Sequence, residues 1–202
     1  MNLNNVIYTE KEINQIIIKN ILKMLSRRNM ISDVESIFDI IQDSIVSNKP
    51  IDIKMDNNTN SQVYLVNGKV TSITQHSPID EFLSSNTNLL KLVIVKEPSK
   101  KTFKQILENY PNSEGFFQYE FMEDVPAKDI IPIHNLINSE EKDELLQHIQ
   151  IRNLKKIFST DRMSRYYNAQ VGDIFRIERL NSTSGKGVDY RVVVPGKIDI
   201  LF

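Results

Sequence analysis

Cysteine is absent from the 202 residues. That excludes a disulfide framework, thiol catalysis and zinc sites of the cysteine type. Glycine is scarce, at 6 residues, and no glycine-rich loop is available to cradle a phosphate. A surplus of charge is missing too: 25 basic against 26 acidic residues leave a formal net charge of −1. A globally basic nucleic-acid binder is thereby excluded, and any DNA contact must be local. The apolar run Ile16-Ile17-Ile18 is far shorter than the roughly 20 residues that span a bilayer. The segment after Met1 lacks the basic start and apolar block of a signal peptide, so a soluble intracellular protein with no membrane partner is expected. His76, His134 and His148 are scattered without ligand spacing, so neither a metal site nor a cofactor is expected. No Ser-His-Asp constellation suggests a catalytic residue.

Helix and strand signals alternate along the first part of the chain. Thr9 with Glu12 forms a capping box before Ile13, Ile16, Ile17, Leu22 and Leu25 at helical spacing. Ser32 with Glu35 repeats the device for a second helix carrying Val34, Ile37, Ile41 and Ile45, which ends before Asn48-Lys49-Pro50. Ile51 to Met55 alternates as a strand, Asn57 to Asn60 is a polar turn, and Asn67-Gly68 predicts a hairpin between Val63–Val66 and Val70–Ile73. Ser77-Pro78 opens a short helix, Leu89 to Val95 is a buried-type strand, Ser99 caps a helix with Phe103, Ile106 and Leu107, and Phe116 to Met122 reads as a strand. The polar link Asp124 to Asp129, with Pro126, marks a boundary, giving domains 1–125 and 126–202. The predicted fold class is α/β in the first domain and α+β, with a β-hairpin, in the second.

Two local clusters of basic residues stand out. Lys96, Pro98, Ser99, Lys100, Lys101 and Lys104 lie where a strand ends and a helix begins, and a helix start presents N–H groups to a phosphate. The alternative is that Ser99 is an N-cap and the lysines a solvated face. Lys19, Lys23, Arg27 and Arg28 read as an exposed helix end that complements the helix dipole.

The last quarter carries the most specific pattern. From Asp161 to Arg191 the chain reads D-x-x-x-R-Y-Y-x-x-x-x-G-D-x-x-x-I-x-R-x-x-x-x-S-G-x-x-x-x-Y-R, preceded by Pro132-Ile133-His134, by Glu140-Glu141-x-x-Glu144-Leu145-Leu146, and by Leu154-Lys155-Lys156-Ile157. These blocks resemble the assembly domain of the fifth, shared subunit of eukaryotic RNA polymerases and of its shorter archaeal counterpart. Lys155 and Arg162 replace the family's prolines and Asn168 replaces its glycine.

The resemblance implies a non-catalytic subunit of a multisubunit DNA-directed RNA polymerase that acts in transcription. It implies an N-terminal jaw of restriction-endonuclease-like topology that lines the downstream double-stranded DNA. It also implies a C-terminal domain that packs on the largest polymerase subunit and neighbouring small subunits, with no homo-oligomer. The assembly set is then Pro132, His134, Leu154, Ile157, Asp161, Arg165, Tyr166, Tyr167, Gly172, Arg176, Arg179, Ser184, Gly185, Tyr190 and Arg191, with several of the tyrosines also expected to serve the domain's own core. The Lys96–Lys104 stretch loosely resembles the family's DNA-facing T-P-S-A loop.

The archaeal counterparts have only the assembly domain, so the two-domain length points to a eukaryotic or large-virus polymerase. Heavy use of isoleucine, asparagine and lysine is that of an AT-rich genome and fits a large DNA virus. The expected location is the virion and host cytoplasm for a viral protein and the nucleus for a cellular one. The alternative is a free-standing DNA-binding or nuclease-like protein of the same architecture, with Asp52-Ile53-Lys54 at the spacing of a metal-dependent nuclease.

Overall fold

The computed structural model describes residues 8–181 and 185–198. The chain divides into two compact units, residues 1–124 and 125–202.

In the first unit Thr9 starts helix α1 (Glu10–Arg27) with the full capping box: Glu12 N–H donates to Thr9 Oγ1 at 3.3 Å and Thr9 N–H to Glu12 Oε2 at 2.7 Å. The helix buries Ile17, Ile18, Ile21, Leu22, Met24 and Leu25. Helix α2 (Val34–Ile41) is capped by Asp33, not Ser32, because the Asp33 carboxylate reaches Ser36 N–H at 3.0 Å. It continues only as a 3₁₀ turn, Gln42–Ser44, so the buried Ile45 lies beyond it.

Strands β1 (Pro50–Lys54), β2 (Asn60–Val70), β3 (Leu90–Pro98) and β4 (Ser113–Phe117) make one sheet in that order. The first pair is antiparallel and the other two are parallel. Parallel strands need crossovers, supplied here by helices α3 (Pro78–Ser84) and α4 (Lys100–Asn109). The run Lys91–Val95 is buried throughout, as a strand covered on both faces requires.

Two strand expectations fail for physical reasons. No hairpin forms at Asn67-Gly68: β2 runs straight through, parallel to β3, with its register shifted between Val66 and Lys69. Gly68 does not take the left-handed conformation a tight turn needs. Asn67 Nδ2 instead donates to Glu10 Oε1 and to Ser47 Oγ, both at 2.7 Å, tying the shifted strand to α1. The predicted strand Phe116–Met122 stops at Phe117, where Glu120 turns back to accept the Phe117 N–H at 2.8 Å and closes a 3₁₀ turn.

Two buried cations leave no signal in the sequence. Lys91 is 1% exposed and its ammonium donates to Phe82 O at 2.6 Å, Leu83 O at 3.0 Å and Ser85 Oγ at 3.3 Å, capping the end of α3. Burial pushes this lysine's pKa down. Arg28 is likewise buried, paired with Glu114, and Arg27 grips both oxygens of Asp124 at 2.6 and 2.9 Å. The reading of Lys19, Lys23, Arg27 and Arg28 as an exposed helix end is therefore corrected for Arg27 and Arg28. Burial works against the Asp124 carboxylate, but the Arg27 hydrogen bonds and the Arg27 and Lys23 charges outweigh it and hold its pKa below the usual range.

In the second unit β5 (Ile133–Leu136), helix α5 (Ser139–His148), β6 (Lys155–Phe158), helix α6 (Arg162–Tyr166), β7 (Ile174–Asn181) and β8 (Gly185–Val194) build a sheet ordered β5-β7-β8-β6. The β7–β8 hairpin is antiparallel and β6 lies parallel to β8. Successive side chains point to opposite faces, so Phe175, Ile177, Val193 and Ile157 pack with Ala169, while Ile174, Val192 and Leu154 form a second cluster. Both units are mixed helix-and-sheet structures, consistent with an α+β chain.

Candidate functional site

The lysine stretch sits at the β3–α4 junction. Ser99 caps α4: its Oγ accepts the Thr102 N–H at 3.1 Å and donates to Thr71 O at 2.6 Å. The hydroxyl is thus spent inside the protein rather than offered to a phosphate, and Pro98 is buried, so both are corrected from contacting to positioning residues. Lys96, Lys100, Lys101 and Lys104 are exposed, and Lys104 lies 3.7 Å from Glu108 one turn on.

The second predicted set divides by burial. His134, Leu154, Ile157 and Tyr166 are each less than 10% exposed. They belong to their own domain's core, and direct docking contact is corrected for these four. His134 Nδ1 hydrogen-bonds the carbonyl of half-buried Pro132 at 2.7 Å while its ring meets Phe175 edge-on at 5.7 Å. Burial lowers its pKa, with the Pro132 bond opposing. Asp161 caps α6 through Met163 N–H at 2.8 Å.

Tyr167 packs between Tyr166 and Phe175 at ring distances of 5.2 and 6.0 Å. Gly172 is left-handed, at φ 96°, and its carbonyl accepts from Lys142 at 2.8 Å. Arg176 bridges Glu178 at 2.5 Å and Glu141 at 3.4 Å, and these carboxylates raise its pKa, Glu178 foremost. Tyr190 leans on the Leu154 cluster, and Arg191 lies 3.5 Å from Asp189.

Pro132, Asp161, Arg165, Tyr167, Gly172, Arg176, Arg179, Gly185, Tyr190 and Arg191 lie wholly or partly at the surface. Ser184 lies outside the described residues. Sequence reasoning missed the apolar surface of this unit, where Ile130 is 86%, Ile133 58%, Val171 58%, Val188 53% and Phe158 49% exposed. Alternation tells which residues share a face, not which face is left uncovered.

The family described as RNA polymerase Rpb5, C-terminal domain, matches residues 124–193. A DNA-directed RNA polymerase subunit 5 of Acanthamoeba polyphaga mimivirus is 33% identical over 144 residues, 70% of this chain and 69% of that protein. The chain belongs to the Rpb5 family of RNA polymerase subunits. The DNA-directed RNA polymerases I, II, and III subunit rpabc1 of Dictyostelium discoideum is similar across both units, 26% identical over 87% of this chain and 94% of its own length. The Rpo5 subunit of Methanosphaera stadtmanae covers only 35% of this chain, at 35% identity over 72 residues, but 94% of itself.

Asp52, the residue proposed for nuclease chemistry, is exposed on edge strand β1 and accepts from Gln62 Nε2 at 2.8 Å. Among the described residues no three His, Asp or Glu side chains gather as a metal site. No described helix is long and apolar enough to cross a membrane.

Proposed function

We propose that this Rpb5-family chain serves as a non-catalytic subunit of a multisubunit DNA-directed RNA polymerase, held by its second unit and facing downstream duplex with its first. The observation that carries this reading is similarity to the Dictyostelium subunit across 87% of the chain, both units included. Its second unit anchors to the largest subunit and neighbouring small subunits through Arg165, Arg179, Tyr190 and Arg191 at the surface, and through the exposed apolar residues Ile133, Phe158 and Val188, which share a sheet face with Tyr190. Exposed apolar and aromatic side chains mixed with arginine are the composition of interface cores. Its first unit is a jaw of restriction-endonuclease-like topology whose Lys96, Lys100, Lys101 and Lys104 meet phosphates. The protein works in the virion and host cytoplasm if viral, in the nucleus if cellular. The nuclease alternative is not favoured.

The test is the double charge reversal Lys100→Glu with Lys101→Glu in assembled enzyme on a downstream duplex. Loss of two phosphate contacts lowers the slope of log affinity against log salt by about two. An unchanged slope means the α4 start is only a solvated face.

A further inference from the structure

The end of β2 and the polar segment after it, Val70–Ser77, are fastened to α4 and its cap by five hydrogen bonds. Ser99 N–H and Thr102 Oγ1 both donate to Val70 O at 2.8 Å, and Ser99 Oγ donates to Thr71 O at 2.6 Å. Gln105, further along the helix, then takes both backbone groups of one residue: Ile73 N–H donates to its Oε1 at 2.9 Å and its Nε2 donates to Ile73 O at 3.0 Å. A side-chain amide paired in this way fixes a loop as a neighbouring strand would, and the Ile73 side chain is buried beneath it. The loop is thereby held beside the exposed Lys100 and Lys101 at fixed spacing.

Its composition fits a polyanion. No acidic residue occurs from Lys69 through Ser77. Lys69, Thr71, Thr74, Gln75 and His76 are all exposed. Lysine, threonine and glutamine side chains are among those that contact phosphate oxygens without reading sequence. Lys69 pairs in register with Glu97 near the end of β3, so the segment leaves the sheet at the strand ends where Lys96 stands.

We propose that Lys69 and the Thr71–His76 loop form a second phosphate-contacting segment continuous with the α4 lysines, and that Gln105 is the positioning residue that holds it there. The inference rests on the proposed function, that the α4 start faces duplex DNA.

The experiment measures the salt dependence of downstream-duplex affinity for assembled polymerase carrying Lys69→Gln, Gln75→Ala, Gln105→Leu and their combinations, beside the Lys100/Lys101 reversal. Lys69→Gln is expected to lower the salt slope by about one. Gln105→Leu, which changes no charge, is expected to weaken binding on the order of fivefold, the worth of about one neutral hydrogen bond. That loss should vanish when Lys69 and Gln75 are already replaced, a coupling that mere destabilisation does not produce. If the Lys100/Lys101 reversal lowers the slope while Lys69→Gln and Gln105→Leu do nothing, this inference falls and the jaw reading stands. If no variant has an effect, both fall.

Discussion

Arg28 and Glu114 meet in a two-pronged ion pair, Nη1 to Oε1 at 2.8 Å and Nη2 to Oε2 at 2.7 Å, with the Arg28 side chain only 3% exposed. It joins the end of α1 to edge strand β4, residues 86 apart in sequence. Removing one partner of a buried pair leaves the other charge uncompensated. Arg28→Ala is expected to cost about 3 kcal/mol, read as a lower thermal midpoint. Arg28→Lys should recover little, because a point charge does not reproduce the planar fork. An unchanged midpoint for Arg28→Ala would show the pair to be incidental.

Asp80 and Tyr110 give the fold a pH signature. The Tyr110 hydroxyl donates to Asp80 Oδ1 at 2.6 Å, and burial together with the adjacent carboxylate pushes its pKa up to about 12. An unfolded tyrosine ionises near about 10, so in the window between, the unfolded state releases its proton first and stability falls as pH rises. Asp80, held below the usual carboxylate range by the Tyr110 hydroxyl and the His76 N–H, contributes stability at neutral pH that is lost as pH falls through the acid range. The stability deficit of Tyr110→Phe against the parent should therefore shrink toward about pH 12. Urea titrations across that window measure it, and a pH-independent deficit would contradict the assignment.

Asn168 closes α6 at φ 51°, with Asn168 N–H on Arg165 O at 3.1 Å and Ala169 N–H on Ser164 O at 2.8 Å, the paired bonds of a Schellman ending. Asn168→Gly should stay within about 1 kcal/mol of the parent, whereas Asn168→Val should lose about 1–2 kcal/mol by forcing a branched Cβ into the left-handed region. Equal stability of the two variants in denaturant titration would overturn this.

What the sequence discloses follows the range of the interactions. Thr9, Ser77 and Ser99 are legible as caps because each bonds an N–H only three residues on. The Tyr166-Tyr167-Asn168 helix end and the β7–β8 hairpin are legible for the same reason. Lys91 and Arg28 are not, since their acceptors on Phe82 and Glu114 are tertiary neighbours. Asn67-Gly68 misleads because parallel pairing with β3 overrides a local turn preference. Strands β5 and β6, of 4 residues each, are too short to show a period. At the candidate sites, residue type says nothing of burial, which is why the buried Pro98, Leu154 and Ile157 stand among the expected contact residues.

The second unit has its own apolar clusters, drawn wholly from residues 137–194. Residues 125–202 expressed alone are expected to fold, with a cooperative thermal transition by circular dichroism. A featureless melt would show that this unit depends on the first.

The central claim is membership of a polymerase, and the most direct test is purification of the tagged full chain from the cell or virion in which it is made, followed by identification and quantification of co-purifying proteins. The account predicts the largest polymerase subunit in equal amount, together with the other polymerase chains. Recovery of the chain alone, with metal-dependent DNA cleavage abolished by Asp52→Ala, would contradict it.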